Sequence, residues 1–310
     1  MKKEIHILSP ATVSNVSCGF DILGFCLDTI ADEIIVKKSP QKGIRITQIE
    51  GYDLPKEAKK NIAGVSAISL LEDLKPDCGF DIKIIKRIKP GSGIGSSAAS
   101  AVGSVYAINE LMGKPYTTNQ LTRFALKGES MNSKWQHADN IAPAINGGFT
   151  LVKSLQPLEI LNIPVPDQLY ALVIHPQIEI KTSESRASLP ENVNMNDSIL
   201  QCANIGSLIH AMHTEDYELI KRSLKDAIVE PHRKKQIPFF DDIKQAAMST
   251  QAIGMGISGS GPSMFVLVQG QDKAIEVKKA MQEVYEATPI NFEIYSSKVN
   301  TEGVKIKSFT

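Results

Sequence analysis

The stretch PGSGIGSSAAS, Pro90 to Ser100, places glycine at three alternate positions and follows the last of them with small residues only. It stands between FDIKIIKRI, whose alternation predicts a strand, and SSAASAVGSVYAINELMG, which predicts a helix of small residues closed by Gly113. A glycine-rich turn from strand to helix leaves backbone N–H groups free at the positive end of the helix dipole, so its natural guest is phosphate. A Walker loop needs GxxxxGK[ST], and no lysine follows these glycines. A dinucleotide fingerprint needs GxGxxG early in a βαβ unit and an acidic residue about 20 positions later. Here the pattern is GxGxG, nearly a third of the way along the chain, with only Glu110 in a plausible downstream place. A tight turn with close helix packing accounts for the glycines. It accounts less well for Ser96 and Ser97, which open the helix where their hydroxyls can cap N–H groups or meet a phosphate or Mg²⁺.

The rest of the chain reads as a mixture of strands and helices. Period-2 runs predict strands at KEIHIL, DEIIVKK, GIRITQI, GGFTLVKS, LYALVIHP, SMFVLVQ and NFEIYSSKV. Helical spacing marks NIAGVSAISLLEDL, TNQLTRFALKGES, segments around 197–213, 215–228 and 239–252, and DKAIEVKKAMQEVYEA. That order suits an open α+β sandwich. The Pro-containing LQPLEILNIPVPDQ suggests a boundary near residue 155, dividing the chain into 1–155 and 156–310. A length of 310 residues allows two domains, each with a core.

Composition narrows the partners. The 34 basic and 34 acidic residues cancel, so net charge draws the chain neither to nucleic acid nor to an anionic membrane, and a small molecule is the default ligand. The amino terminus lacks the apolar run of a signal peptide, and no run of about 18 apolar residues predicts a membrane span. Cys18, Cys26, Cys78 and Cys202 are scattered without metal-ligand spacing, as expected of reduced thiols in a cytoplasmic protein. His210 and His213 share a helical face but have no third ligand nearby, and Trp135 reads as a packing anchor.

PGSGIGSSAAS resembles the phosphate-binding motif of the GHMP kinases, the superfamily of galactokinase, homoserine kinase, mevalonate kinase and phosphomevalonate kinase. SPATVSNVSCGFDILGFCLD, residues 9–28, is similar to that family's amino-terminal motif, and GISGSGPSMFVLV, residues 256–268, to its carboxy-terminal glycine loop. The three stand in the family's order across nearly the whole chain, and VSNVSCGFDILG in the amino-terminal motif is close to the homoserine kinase form. The resemblance implies an α+β GHMP kinase fold: an amino-terminal domain like ribosomal protein S5 domain 2 and a ferredoxin-like carboxy-terminal domain. ATP and an alcohol would meet in the crevice between them. A homodimer is compatible with it.

Carried over residue by residue, the resemblance assigns Pro90, Gly91, Ser92, Gly93, Ile94, Gly95, Ser96, Ser97, Ala98 and Ala99 to the ATP phosphates. Asn61 and Ile62 fall to the adenine and ribose pocket, and Ser97 with Glu129 to Mg²⁺. HADNIAPAINGG, IKTSESRASLP and EPHRKKQIP supply His137, Asp139, Asn140, Thr182, Arg186 and Arg233. With Asn15 and Asp21 these suit L-homoserine, a zwitterion with a primary hydroxyl. Arginine grips a carboxylate through its planar fork, and acidic groups hold an ammonium. Arg186, Asn140 and Asp139 are the implied catalytic residues. Taken by itself Asp139 reads either as a proton acceptor or as a ligand of the substrate ammonium, and Asp21 as a ligand or a turn residue.

Overall fold

The computed structural model describes residues 3–131 and 136–309, so Trp135 lies outside the described residues. The chain begins with a long hairpin of β1 (Glu4–Val16) and β2 (Gly19–Ser39), followed by β3 (Ile44–Glu50), α1 (Ile62–Leu74) and β4 (Gly79–Ile85). Next come α2 (Ser96–Leu111), α3 (Thr118–Glu129), α4 (Ile141–Asn146), β5 (Phe149–Leu155) and β6 (Leu158–Ile163). A seven-stranded sheet results, in the order β11-β1-β2-β4-β3, with β5 on the first part of β2 and β6 on β5. β11 (Lys305–Phe309) comes from the far end of the chain and pairs with β1. The hydrogen bonding therefore carries the first sheet past the expected division at 155, through the β5–β6 hairpin, and draws the last strand back into it.

The second sheet is antiparallel, in the order β10-β7-β9-β8, from β7 (Leu169–Pro176), β8 (Gly254–Ile257), β9 (Met264–Gln269) and β10 (Phe292–Lys298). Between β7 and β8 lie α5 (Thr182–Ala187), α6 (Met195–Thr214), α7 (Tyr217–Ser223), α8 (Glu230–Arg233) and α9 (Phe240–Ser249), and α10 (Gln271–Glu286) follows β9. The helix expected over 215–228 stops at Ser223 because Asp226 turns its carboxylate on the N–H groups of Ile228, Val229 and Glu230, each 2.9 Å away, and so starts α8 instead.

Local chemistry explains the helices that frame the site. Asn61 caps α1 at the N–H of Gly64, and Thr117 with Gln120 forms a capping box on α3. α2 is small-sided because it is buried on nearly every face: a Cβ on Gly103 would lie 2.5 Å from Ile34 Cγ1 of the sheet beneath. One apolar cluster joins α1, α2 and α3 to the first sheet, and another packs α9 and α10 on the second. A third lies between the two sheets, where Phe25 stacks on Phe149 at 4.7 Å and meets Phe265 edge-on at 5.9 Å. The two expected cores are thus fused by a shared one, which holds the loops at the crevice in fixed register. All four cysteines are free, and burial pushes the thiols of Cys18 and Cys26 up. No helix among the described residues is long and apolar enough to cross a membrane.

Candidate active site

A cavity of about 970 Å³ opens where the α1, α2 and α3 layer faces the α5 and α8 region. Its walls include Pro90, Gly91, Gly93, Gly95, Ser96 and Ser97 of the glycine loop, with Asn61 and Ile62 at the start of α1. Glu129, His137, Asp139, Asn140, Thr182, Arg186 and Arg233 also line it, together with Asn15 and Asp21. Residues predicted from seven separate segments therefore share one space. Four members of the expected phosphate run do not face it. Ser92, Ile94, Ala98 and Ala99 are buried, and the Ala99 N–H is bonded to Gly95 O within the helix.

Gly91, Gly93 and Gly95 all have positive φ, at 74°, 82° and 68°, which side chains rarely adopt. Gly95 is also the N-cap of α2, with Thr12 Oγ1 2.0 Å from where its Cβ would stand. The two serines divide their work. Ser96 Oγ donates to Ile88 O at 2.8 Å and closes the turn, whereas the Ser97 hydroxyl stands beside the carboxylate of Glu129.

Glu129 ends α3 with its Oε1 sealed from solvent and without a hydrogen-bond partner among the described residues. Burial raises its pKa, opposed by the Ser97 hydroxyl and the charge of Lys86. A buried carboxylate oxygen beside a serine hydroxyl suits a hard divalent cation, and Mg²⁺ is commonly held by one or two protein oxygens plus phosphates rather than by a full cage. No group of three or more His, Cys, Asp or Glu side chains that could hold a metal ion occurs among the described residues.

Lys86 was not anticipated, and it lines the cavity beside the glycine loop. It lies 4% exposed under α2, its ammonium bonded to Asp32, Ser96 O at 2.7 Å and Ser100 Oγ at 3.1 Å. Burial lowers its pKa and Asp32 opposes that shift. Asp32 is satisfied in turn by the N–H groups of Arg87 and Ile88. The signal was present in the alternation: Phe80, Ile82 and Ile84 point inward, so Lys86 falls on the buried face, and the β2–β4 register puts Asp32 opposite it.

The charged part of the cavity is built on the β1–β2 turn. Asn15, Ser17 and Asp21 are non-glycine residues at φ 56°, 48° and 61°, a conformation that costs roughly 1 kcal/mol or more each. Asn15 Oδ1 accepts from the Asp21 N–H at 2.7 Å, and its Nδ2 donates to Gly259 O at 2.8 Å. Asp21 is thereby presented to Arg186, whose Nη1 reaches its two oxygens at 3.0 and 2.7 Å. His137 Nδ1 lies 3.3 Å from Asp21, and burial with the neighbouring arginines lowers its pKa. Arg186 and Arg233 both lie over the ring of Phe20, at 5.2 and 4.9 Å from its centre. Phe20, another residue the sequence did not single out, thus offers both like charges an attractive π-system.

Asp139 is 3% exposed, and burial together with the charge of Asp21 pushes its carboxyl up to about 7. A chain of polar groups leads to it: Thr12 Oγ1 donates to Asn140 Oδ1 at 2.7 Å and Asn140 Nδ2 to Ser14 Oγ at 2.9 Å, and the Ser14 hydroxyl opposes the rise in the Asp139 pKa. Thr182 Oγ1 lies 3.4 Å from Ser260 Oγ.

Residues 61–148 match the GHMP kinases N terminal domain, and residues 208–287 the GHMP kinases C terminal. A homoserine kinase of Chlorobium phaeobacteroides (strain BS1) is 39% identical over 318 residues, covering 98% of this chain and 99% of its own. One from Pyrococcus abyssi is 36% identical, covering 96% and 97%. The crystal structure of homoserine kinase from Cytophaga hutchinsonii superposes with a TM-score of 0.95 at 44% identity, covering 99% of this chain and 98% of that one. The chain belongs to the homoserine kinases of the GHMP kinase family.

In this GHMP kinase the two glycine loops touch through backbone approaches and one serine hydroxyl. Ser258 Oγ donates to Gly93 O at 2.7 Å, and a Cβ on Gly93 would lie 2.7 Å from Ser258 O. Gly259, at φ 60°, would bring its Cβ within 2.9 Å of Gly93 O. A β-branched residue there meets both backbone strain and the first loop. Gly259→Val is therefore expected to raise the KM for ATP about tenfold. Unchanged ATP kinetics in a folded variant would show that the contact between the loops is dispensable.

Proposed function

We propose that the protein transfers the γ-phosphoryl group of ATP to the side-chain hydroxyl of L-homoserine, releasing ADP and O-phospho-L-homoserine on the route to threonine. The observation that carries this reading is the Asp21–Arg186 ion pair, with Arg233 and Asp139 in the same cavity as the glycine loop. Such an array complements a zwitterion: Arg186 and Arg233 take the carboxylate, and Asp21 and Asp139 take the ammonium. Asn15, His137 and Thr182 shape the space around it. A substrate with a carboxylate and no ammonium would leave the buried Asp139 without a cationic partner.

The loop amides at Gly93 and Gly95 and the amino end of α2 receive the phosphates, with the Lys86 ammonium beneath them. Asn61 and Ile62 border the nucleoside. Ser97 and Glu129 would hold Mg²⁺, which when bound neutralises phosphate charge. The homoserine hydroxyl oxygen attacks the γ-phosphorus in line, the bond from that phosphorus to the β–γ bridging oxygen breaks, and the hydroxyl proton passes to the transferred phosphate. Because the transition state is loose, positioning by Asn140 and Arg186 and charge stabilisation contribute more than a general base.

ADP release with Mg–ATP over L-homoserine, mevalonate, galactose and L-serine tests the assignment. Turnover with L-homoserine well above the others is expected. Turnover of another alcohol without turnover of homoserine would overturn it.

A further inference from the structure

Behind the substrate arginines lies a second void, of about 10 Å³, lined by Ser17, Asp226, Glu230, Arg233 and Gly259 among others. That is the space of a single water. Three of the lining side chains bring to it a solvent-sealed polar atom without a hydrogen-bond partner among the described residues: Ser17 Oγ, Glu230 Oε2 and Arg233 Nε. The other polar groups around it are already engaged. Asp226 accepts from three backbone N–H groups and from Gln201 Nε2 at 3.0 Å. Gly259 O receives Asn15 Nδ2 and, at 2.9 Å, Arg233 Nη1. A donor, an acceptor and a hydroxyl that can be either are left, which is the complement of one water molecule.

We propose that this void binds one ordered water joining Arg233 to Glu230 and Ser17, and that Glu230 is through it a positioning residue for the substrate-facing guanidinium. The consequence for the substrate rests on the function proposed above. Arg233 is 3% exposed and its guanidinium carbon lies 4.9 Å from the centre of the Phe20 ring, which backs it on one side and leaves rotation of the guanidinium to be stopped by hydrogen bonds. With Nη1 held by Gly259 and Nε by the water, that rotation is stopped and Nη2 is left for a ligand of the cavity. Glu230 is itself anchored by Lys244 of α9, so the arginine takes its bearing from a helix outside the cavity.

A crystal structure of the protein is expected to show density for a water within hydrogen-bond distance of all three atoms, whether or not the substrate assignment holds. Glu230→Ala is expected to raise the homoserine KM about tenfold, with kcat and the ATP KM within about twofold, and Glu230→Gln, which keeps an accepting oxygen, to restore most of the loss. Ser17→Ala removes one of the water's partners and is expected to raise the same KM about threefold; it serves if Glu230→Ala does not fold. Combined, the two losses should fall short of their product, because both act through one water. A dry void, or ATP and homoserine constants that move together, would overturn the proposal. A wild type inactive on homoserine with the water in place would overturn the substrate assignment alone.

Discussion

Glu129→Gln is expected to lower kcat about a thousand-fold, roughly 4 kcal/mol of transition-state stabilisation, while the KM for homoserine stays within a few-fold. The reason is charge. The buried oxygen facing the cavity keeps its shape in Gln but loses the negative charge that would fix Mg²⁺ beside Ser97. Stability separates this role from a structural one. Burial raises the pKa of Glu129 above its unfolded value, so the charged carboxylate destabilises the fold. This penalty is absent below the unfolded carboxyl range and is complete once the pH exceeds the folded pKa. The variant is therefore expected to melt higher than the wild type at pH 8 and to gain less from added Mg–ATP. Lower stability with an unchanged response to Mg–ATP would assign Glu129 to the scaffold.

Asp139→Asn tests the substrate side. It is expected to raise the homoserine KM about a hundred-fold, roughly 2.7 kcal/mol, and to change kcat by less than tenfold. Asn keeps an oxygen that can accept from Ser14 but offers no charge to an ammonium. A thousand-fold fall in kcat at constant KM would instead make Asp139 the proton acceptor. The pH dependence has a definite sign. The free-enzyme carboxyl titrates at about 7, so kcat/KM for homoserine in the wild type should fall as the pH drops through 7, and the variant should lose this dependence. Stability should move the other way. With the folded pKa above the unfolded one, the wild type loses stability as the pH rises from about 4 to about 7, by at most about 4 kcal/mol. The variant should accordingly melt higher at pH 8, and the difference should fade toward pH 4.

These two acids share a principle. Each is a charge kept in a poor place for the fold and a good one for a ligand, the pattern expected where activity trades against stability. Lys86 differs: its burial is balanced by Asp32 and two further acceptors, so it reads as a permanent part of the scaffold under α2.

Much of this was legible along the chain. Alternation located most of the strands, the small-residue run located α2, and the glycines with Ser97 marked the loop, because those signals depend on neighbours within a few residues. Short elements escaped: α4, α5, α8 and β8 have too few residues to show a period, and β11 could not be placed because its partner lies at the other end of the chain. Lys86 was available to a stricter reading of the alternation. Phe20 was not, since its value lies in two arginines more than 160 positions away.

The sequence alone determined the α+β fold class, the two glycine loops and the residue types of a zwitterion site. Tertiary structure decided how they meet. Arg186 finds Asp21 across 165 positions and Asn15 finds Gly259 across 244, and both contacts depend on three left-handed residues in the β1–β2 turn. Asn and Asp tolerate those conformations better than other side chains, but three within seven residues still carry strain. They hold because the shared core around Phe25, Phe149 and Phe265 fixes both sheets, so that strain in one turn is outweighed by contacts only the assembled fold can make.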